Sequence, residues 1–143
     1  LTQSITQIDQ QRHAMETQGR LDVVELAMAI ARRVIKRQAS LDPHVLTENL
    51  SEAMKLVIHG DDLRIAVHPS QNQTLRKELP NLQMKWPALE HVELIDDATL
   101  SPGGCRVHSQ RGMVNADLDE QLDRVMANLL PVTKRILTTD EHR

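Results

Sequence analysis

Leu100-Ser101-Pro102-Gly103-Gly104-Cys105-Arg106-Val107, followed by Gly112-Met113-Val114-Asn115-Ala116-Asp117-Leu118-Asp119-Glu120-Gln121-Leu122, decides how this chain is read. The Pro-Gly pair within Ser101-Pro102-Gly103-Gly104 predicts a tight turn in which glycine takes the positive φ that a Cβ forbids. Cys105 to Ser109 then reads as a short strand, Arg111-Gly112 as a turn and Met113 to Asn115 as a second short strand. Asn115 or Asp117 caps a helix to about Leu130, with Leu118, Leu122, Val125, Met126 and Leu129 on one face. Glu120, three residues after Asp117, completes a capping-box-like pair. A glycine corner, two strands and a capped amphipathic helix predict the end of a small α+β head.

Upstream, Leu63-Arg64-Ile65-Ala66-Val67-His68 alternates as a strand with Leu63, Ile65 and Val67 on one face, and Pro69 stops it. Ser70 to about Leu82 predicts a helix with Leu75, Leu79 and Leu82 inward, broken at Pro80 ahead of Trp86-Pro87. Val92 to Ile95 reads as another strand. The carboxylate pairs Asp61-Asp62 and Asp96-Asp97 bound strands, where Asp favours turns; that reading outweighs acid/base machinery. Asp42 as N-cap and Pro43 at the first helical position open a helix to about Ile58, its apolar residues three or four apart.

The first forty residues read as helix. Ile5, Ile8 and Met15 are sparse in a Gln- and Thr-rich stretch, whereas from Arg20 to Gln38 the apolar face widens. Val23, Ala27, Ile30 and Val34 form one stripe, positions 24, 28, 31 and 35 lie beside it, and together they make a wide face expected to be covered by another helix or by the head. Gly19, where narrow gives way to wide, reads as a tolerated defect costing about 1 kcal/mol relative to Ala. The expected organisation is a dimerising helical arm over 1–40, an α+β head over 41–131 and a charged, frayed tail over 132–143. The chain begins at Leu1 inside a helical pattern, so the expectation is a fragment of a longer protein.

Composition narrows the function. In 143 residues there is no Phe or Tyr and a single Trp, so aliphatic side chains must do the packing, which does not suit a ring-lined ligand pocket. Seventeen basic against twenty acidic residues give a net charge of -3 with no basic stripe, which disfavours nucleic acid. No apolar run approaches the roughly 18 residues needed to span a bilayer, so membrane insertion is not expected. One cysteine excludes an internal disulfide, and five glycines hold no phosphate loop, so no cofactor is predicted. Seven histidines raise a metal site, with His68 and His108 on neighbouring strands, but none has metal-ligand helical spacing. Cys105 with His108 or Asp117 offers a thiol nucleophile; a buried small hydrophobe is the stronger reading.

The head resembles the C-terminal domain of the FliH family, stators and regulators of the flagellar type III export ATPase, and of its injectisome counterpart, the SctL/YscL family. It is similar in turn to the C-terminal domain of the peripheral-stalk E subunit of V-type ATPases. The resemblance is carried by Val24 to Ile35, by Leu63-Arg64-Ile65-Ala66-Val67-His68-Pro69, by the corner Pro102-Gly103-Gly104-Cys105, and by Gly112, Val114 and Ala116 with Gln121-Leu122. Asn115 departs from the Asp usual there. It covers roughly residues 20 to 130 and implies an α+β fold: a coiled-coil-like arm, then a β-α-β-β(-β)-α head. It also implies a non-enzymatic, cytoplasmic homodimer at the inner-membrane export apparatus. The heads would hold the N-terminal region of the export ATPase, with Leu118, Leu122, Val125 and Leu129 as the candidate partner-binding helix. Segments upstream would reach rotor or cytoplasmic-ring proteins. An injectisome stator and a V-type stalk subunit are the alternatives, and the Ser-Pro-Gly-Gly-Cys corner favours the secretion family.

Overall fold

The computed structural model describes residues 2–58 and 62–130; Asp61 and the tail expected over 132–143 lie outside them. The first element, α1 (Thr2–Leu41), is one unbroken helix that passes through Gly19. Asp42 ends it and starts α2 (Pro43–Met54), its carboxylate accepting from the His44 backbone N–H at 3.0 Å, with Pro43 where its missing N–H costs nothing. Leu46, Leu50, Ala53 and Met54 bury the inner face of α2.

Strand β1 (Arg64–Val67) leads through a 3-10 turn at Pro69–Gln71 into α3 (Asn72–Lys85), and a second 3-10 turn at Pro87–His91 precedes β2 (Glu93–Asp96). The corner then delivers β3 (Cys105–Ser109), β4 (Gly112–Ala116) and α4 (Leu118–Leu129). The expected break at Pro80 does not occur: α3 runs through it. Pro80 and Arg76, whose carbonyl loses its partner, both lie on the exposed side, where water can take that bond. Leu79, expected inward, is half-buried, whereas Leu75 and Leu82 are buried.

The four strands form one mixed sheet in the order β2-β1-β3-β4. β1 and β2 are parallel, Arg64 opposite Glu93 and Val67 opposite Asp96, a pairing that only a long crossover such as α3 permits. β3 runs antiparallel to both β1 and β4, the latter through a hairpin at Gln110-Arg111. Leu63, Ile65 and Val67 are buried as their alternation predicts, and Ala66 on the other face is buried as well, since β1 is central. Leu63, Ile65 and Val67, with Leu46, Leu50, Leu75, Leu89 and Val107, belong to the aliphatic core against which Trp86 is partly packed. The sequence Arg32–Leu122 forms one compact unit, and the start of α1 with the end of α4 a second.

Candidate functional site

The Ser101–Gly104 corner is a hub of buried polar contacts. A backbone bond from Gly104 N–H to the Ser101 carbonyl closes the turn at 2.9 Å, and Gly103 sits at φ 85°. A Cβ on Gly103 would lie 2.7 Å from the Ala39 Cβ and 2.8 Å from the Leu118 Cδ1, so the glycine also makes room for the last turn of α1. Gln71, itself buried, bridges the two: its amide donates to the Ala39 carbonyl at 2.9 Å, and its oxygen accepts from the Gly103 N–H at 2.6 Å. Asn49 on α2 donates to the carbonyls of Gly103 and Ala116 at 2.9 and 2.7 Å, and Gln121 donates to Asn49 and Ala116. All of these bonds except the one from Gln121 to the Asn49 side chain satisfy a backbone group that burial would otherwise leave unpaired.

The expected capping box is rearranged. Asp117 is buried and accepts from the Ser101 hydroxyl at 2.9 Å, while Glu120 accepts from the Asn115 amide at 2.6 Å, and Asn115 in turn accepts from the Asp117 N–H. Asp117 therefore faces the corner, because Gly104, with no Cβ, lets it approach. Asp119 points to α1 instead, its two oxygens taking Arg32 at 2.7 Å and Lys36 at 3.2 Å. Burial pushes its carboxyl up, but the hydrogen bonds and charges of Arg32 and Lys36 outweigh that and hold it below the ordinary value.

The remaining reactive candidates resolve structurally. Cys105 is fully buried at the start of β3, and burial, with the charge of Asp117 behind it, pushes its thiol up to about 12, so it packs as a small hydrophobe. Asp97 accepts from the N–H and hydroxyl of Thr99, which hold its carboxyl low, and pairs with Arg106 at 2.8 Å: a turn residue, as expected. His68 follows the end of β1 opposite to the one where His108 pairs with Arg64, and His68 accepts from the Ser70 N–H. Among the described residues no group of three His, Cys, Asp or Glu could hold a metal, and no helix is long and apolar enough to cross a membrane. An open depression of about 560 Å³ between α2 and α3 is lined by Glu48, Glu52, Glu78 and Lys85 among other polar groups, with no aromatic ring.

What the chain does expose is aliphatic. Val23, Ile30 and Val34 are 67%, 56% and 59% exposed and Ala27 is exposed too, so the stripe singled out in the sequence takes no part in packing a single chain. The buried or half-buried side of α1 is the neighbouring one, Leu21, Val24, Met28, Ala31, Ile35 and Ala39. On α4 the candidate face splits: Leu122 is buried and Leu118 half-buried, whereas Val125 and Leu129 are 49% and 56% exposed. Gln71, Asp119 and Arg32 carried no sequence signal; Asn49 did, as a polar residue inside the inward stripe of α2.

The long helix α1 and the four-stranded α+β sheet thus define an α+β protein whose polar groups at the corner are engaged in holding its own chain and whose helix faces keep aliphatic side chains exposed. The chain belongs to the flagellar assembly protein FliH family, whose family model matches residues 1–125. It is similar to the flagellar assembly protein FliH of Borreliella burgdorferi, 28% identical over 103 residues, 72% of this chain and 34% of that protein. It is also similar to the type 3 secretion system stator protein of Yersinia enterocolitica, 22% identical over 117 residues, 82% of this chain and 52% of that one. The Yersinia pestis stator protein matches at 28% over 72 residues, covering 50% of this chain and 33% of its own length. The chain thus spans between about a third and a half of the curated relatives it matches.

Proposed function

We propose that this chain is a non-enzymatic stator and regulator that binds the ATPase of a bacterial type III protein export apparatus, of the flagellar kind, holding it in place and restraining its activity. The observation that carries this reading is the family match over residues 1–125, joined to exposed aliphatic faces on two helices. In this reading the chain works in the cytoplasm as a homodimer. The stripe Val23, Ala27, Ile30 and Val34 lies at the contact between arms, and the exposed end of α4, Val125 and Leu129, meets the N-terminal region of the ATPase. The arm covers 1–40 and the head 41–131, with rotor-side partners reached by segments outside these residues.

An injectisome role is the second reading, favoured by the stator protein of Yersinia enterocolitica, whose match covers 82% of this chain. The test is a pull-down of the flagellar export ATPase from the same organism, with light scattering of the mixture. Two copies of this chain per ATPase are expected. A folded dimer that captures no flagellar ATPase overturns the flagellar assignment.

A further inference from the structure

The amides between α4 and α1 are bonded head to tail. The Gln121 amide donates to the Asn49 oxygen at 3.1 Å and the Asn49 amide to the Gly103 carbonyl at 2.9 Å. The Gly103 N–H then donates to the Gln71 oxygen at 2.6 Å, and the Gln71 amide to the Ala39 carbonyl at 2.9 Å. Every donor points the same way, from the first turn of α4 through α2 and the corner to the last turn of α1. The Ala39 carbonyl is one of the four at its end that the helix cannot satisfy by itself. All five residues lie in the compact unit Arg32–Leu122. No side chain of this chain of bonds can be turned over alone. Reversing Gln71 would set its oxygen against the Ala39 carbonyl and its N–H groups against the Gly103 N–H. Reversing Asn49 would set its oxygen against two carbonyls, those of Gly103 and Ala116, since it donates to both.

We infer that Gln121, Asn49, Gly103, Gln71 and Ala39 form a relay that closes and opens as one unit, coupling the last turn of α1 to the first turn of α4. Two physical reasons carry this. Each bond polarises the next, and the members are buried or half-buried, so breaking one bond leaves its neighbours aimed at groups that water replaces poorly. The fixed direction of the amides leaves no alternative pairing in which part of the relay survives reversed. A second connection between the same two helices, from Asp119 to Arg32 and Lys36, is of a different kind. It is charged and partly solvated, and salt screens it, whereas the relay is uncharged. In a stator, the relay is a route by which a change at the end of α1 reaches the helix that bears Val125 and Leu129. That use rests on the stator reading above; the coupling itself does not.

The test begins at Gln121, the half-buried end of the relay, where a substitution disturbs the core least. In Gln121→Ala, amide hydrogen exchange of the Gly103 N–H, two bonds beyond the one removed, is expected to speed up roughly fivefold while the β1 amides stay unchanged. Unchanged exchange at Gly103 overturns the relay, and so does an equal rise in β1, which is global loosening. The same acceleration at Gly103 in Asp119→Asn would assign the coupling to the ion pairs and overturn the relay as well. A double-mutant cycle reads the same coupling without exchange. With the relay already open, the second loss costs less, so Gln71→Ala with Gln121→Ala should have an unfolding constant roughly fivefold below the value two independent changes give. Agreement within about twofold, as independent sites show, overturns the coupling. None of these readouts uses the ATPase, so failure here leaves the stator reading standing. A wild-type chain that captures no ATPase overturns that reading and leaves the coupling in place.

Discussion

Gly103 combines two demands that no other residue meets at once: a φ of 85° and a backbone in contact range of Ala39 and Leu118. Gly103→Ala should cost about 2–4 kcal/mol from left-handed strain and overpacking together. Urea unfolding is the measurement, and adding Ala39→Gly should recover the steric part as a positive coupling between the two sites, leaving the strain. If the two changes add independently, the close approach is not what fixes the glycine. Gln71→Ala strands the buried Gly103 N–H and should lower stability by about 1–3 kcal/mol. The corner itself was legible from Pro102 and two glycines. The partner of the corner was not, because Gln71 lies 32 residues away and nothing local marks it.

Among the elements, α4 is tied to its own chain at one end and exposes aliphatic side chains at the other. Asp119 ties its first turn to Arg32 and Lys36 of α1, with a carboxyl held below its ordinary value near 3.8. A lowered folded pKa contributes stability that is full above the unfolded value and is lost as pH falls through the folded one. Wild type should therefore lose stability below about pH 4 more steeply than Asp119→Asn, which lacks that titration. At neutral pH the substitution should cost only about 0.5–1 kcal/mol, since the pair is partly solvated. The far end of α4 makes the opposite prediction. Val125→Asp and Leu129→Asp should leave the melting temperature within a few degrees and weaken ATPase capture, whereas Leu122→Asp, buried, should unfold the head. Equal loss of folding in all three would show that Val125 and Leu129 belong to the core.

For the whole molecule, the exposed stripe of α1 predicts assembly. Ile30→Asp puts a charge on a side chain 56% exposed in the single chain, so under the proposed homodimer the head should melt as before while light scattering shows the mass halved. Unchanged mass would place the dimer contact elsewhere. The element order, the two helix starts at Pro43 and Leu118 and the inward residues of β1 were all written in local pattern: capping residues, glycine, and periods of two or three to four. Pro80 misled, because whether a helix tolerates proline depends on whether the orphaned carbonyl faces solvent.

The sequence by itself determined which segments are helix and strand, where the chain turns, and that its packing is aliphatic, since these depend on backbone sterics and on residue types a few positions apart. Tertiary structure alone decided the strand order β2-β1-β3-β4, the bridge of Gln71 and Asn49 around Gly103, the pull of Asp117 onto Ser101, and which of two adjoining stripes on α1 a single chain buries. The reason is that both stripes of α1 carry the same helical period, and period identifies a face without saying what will cover it.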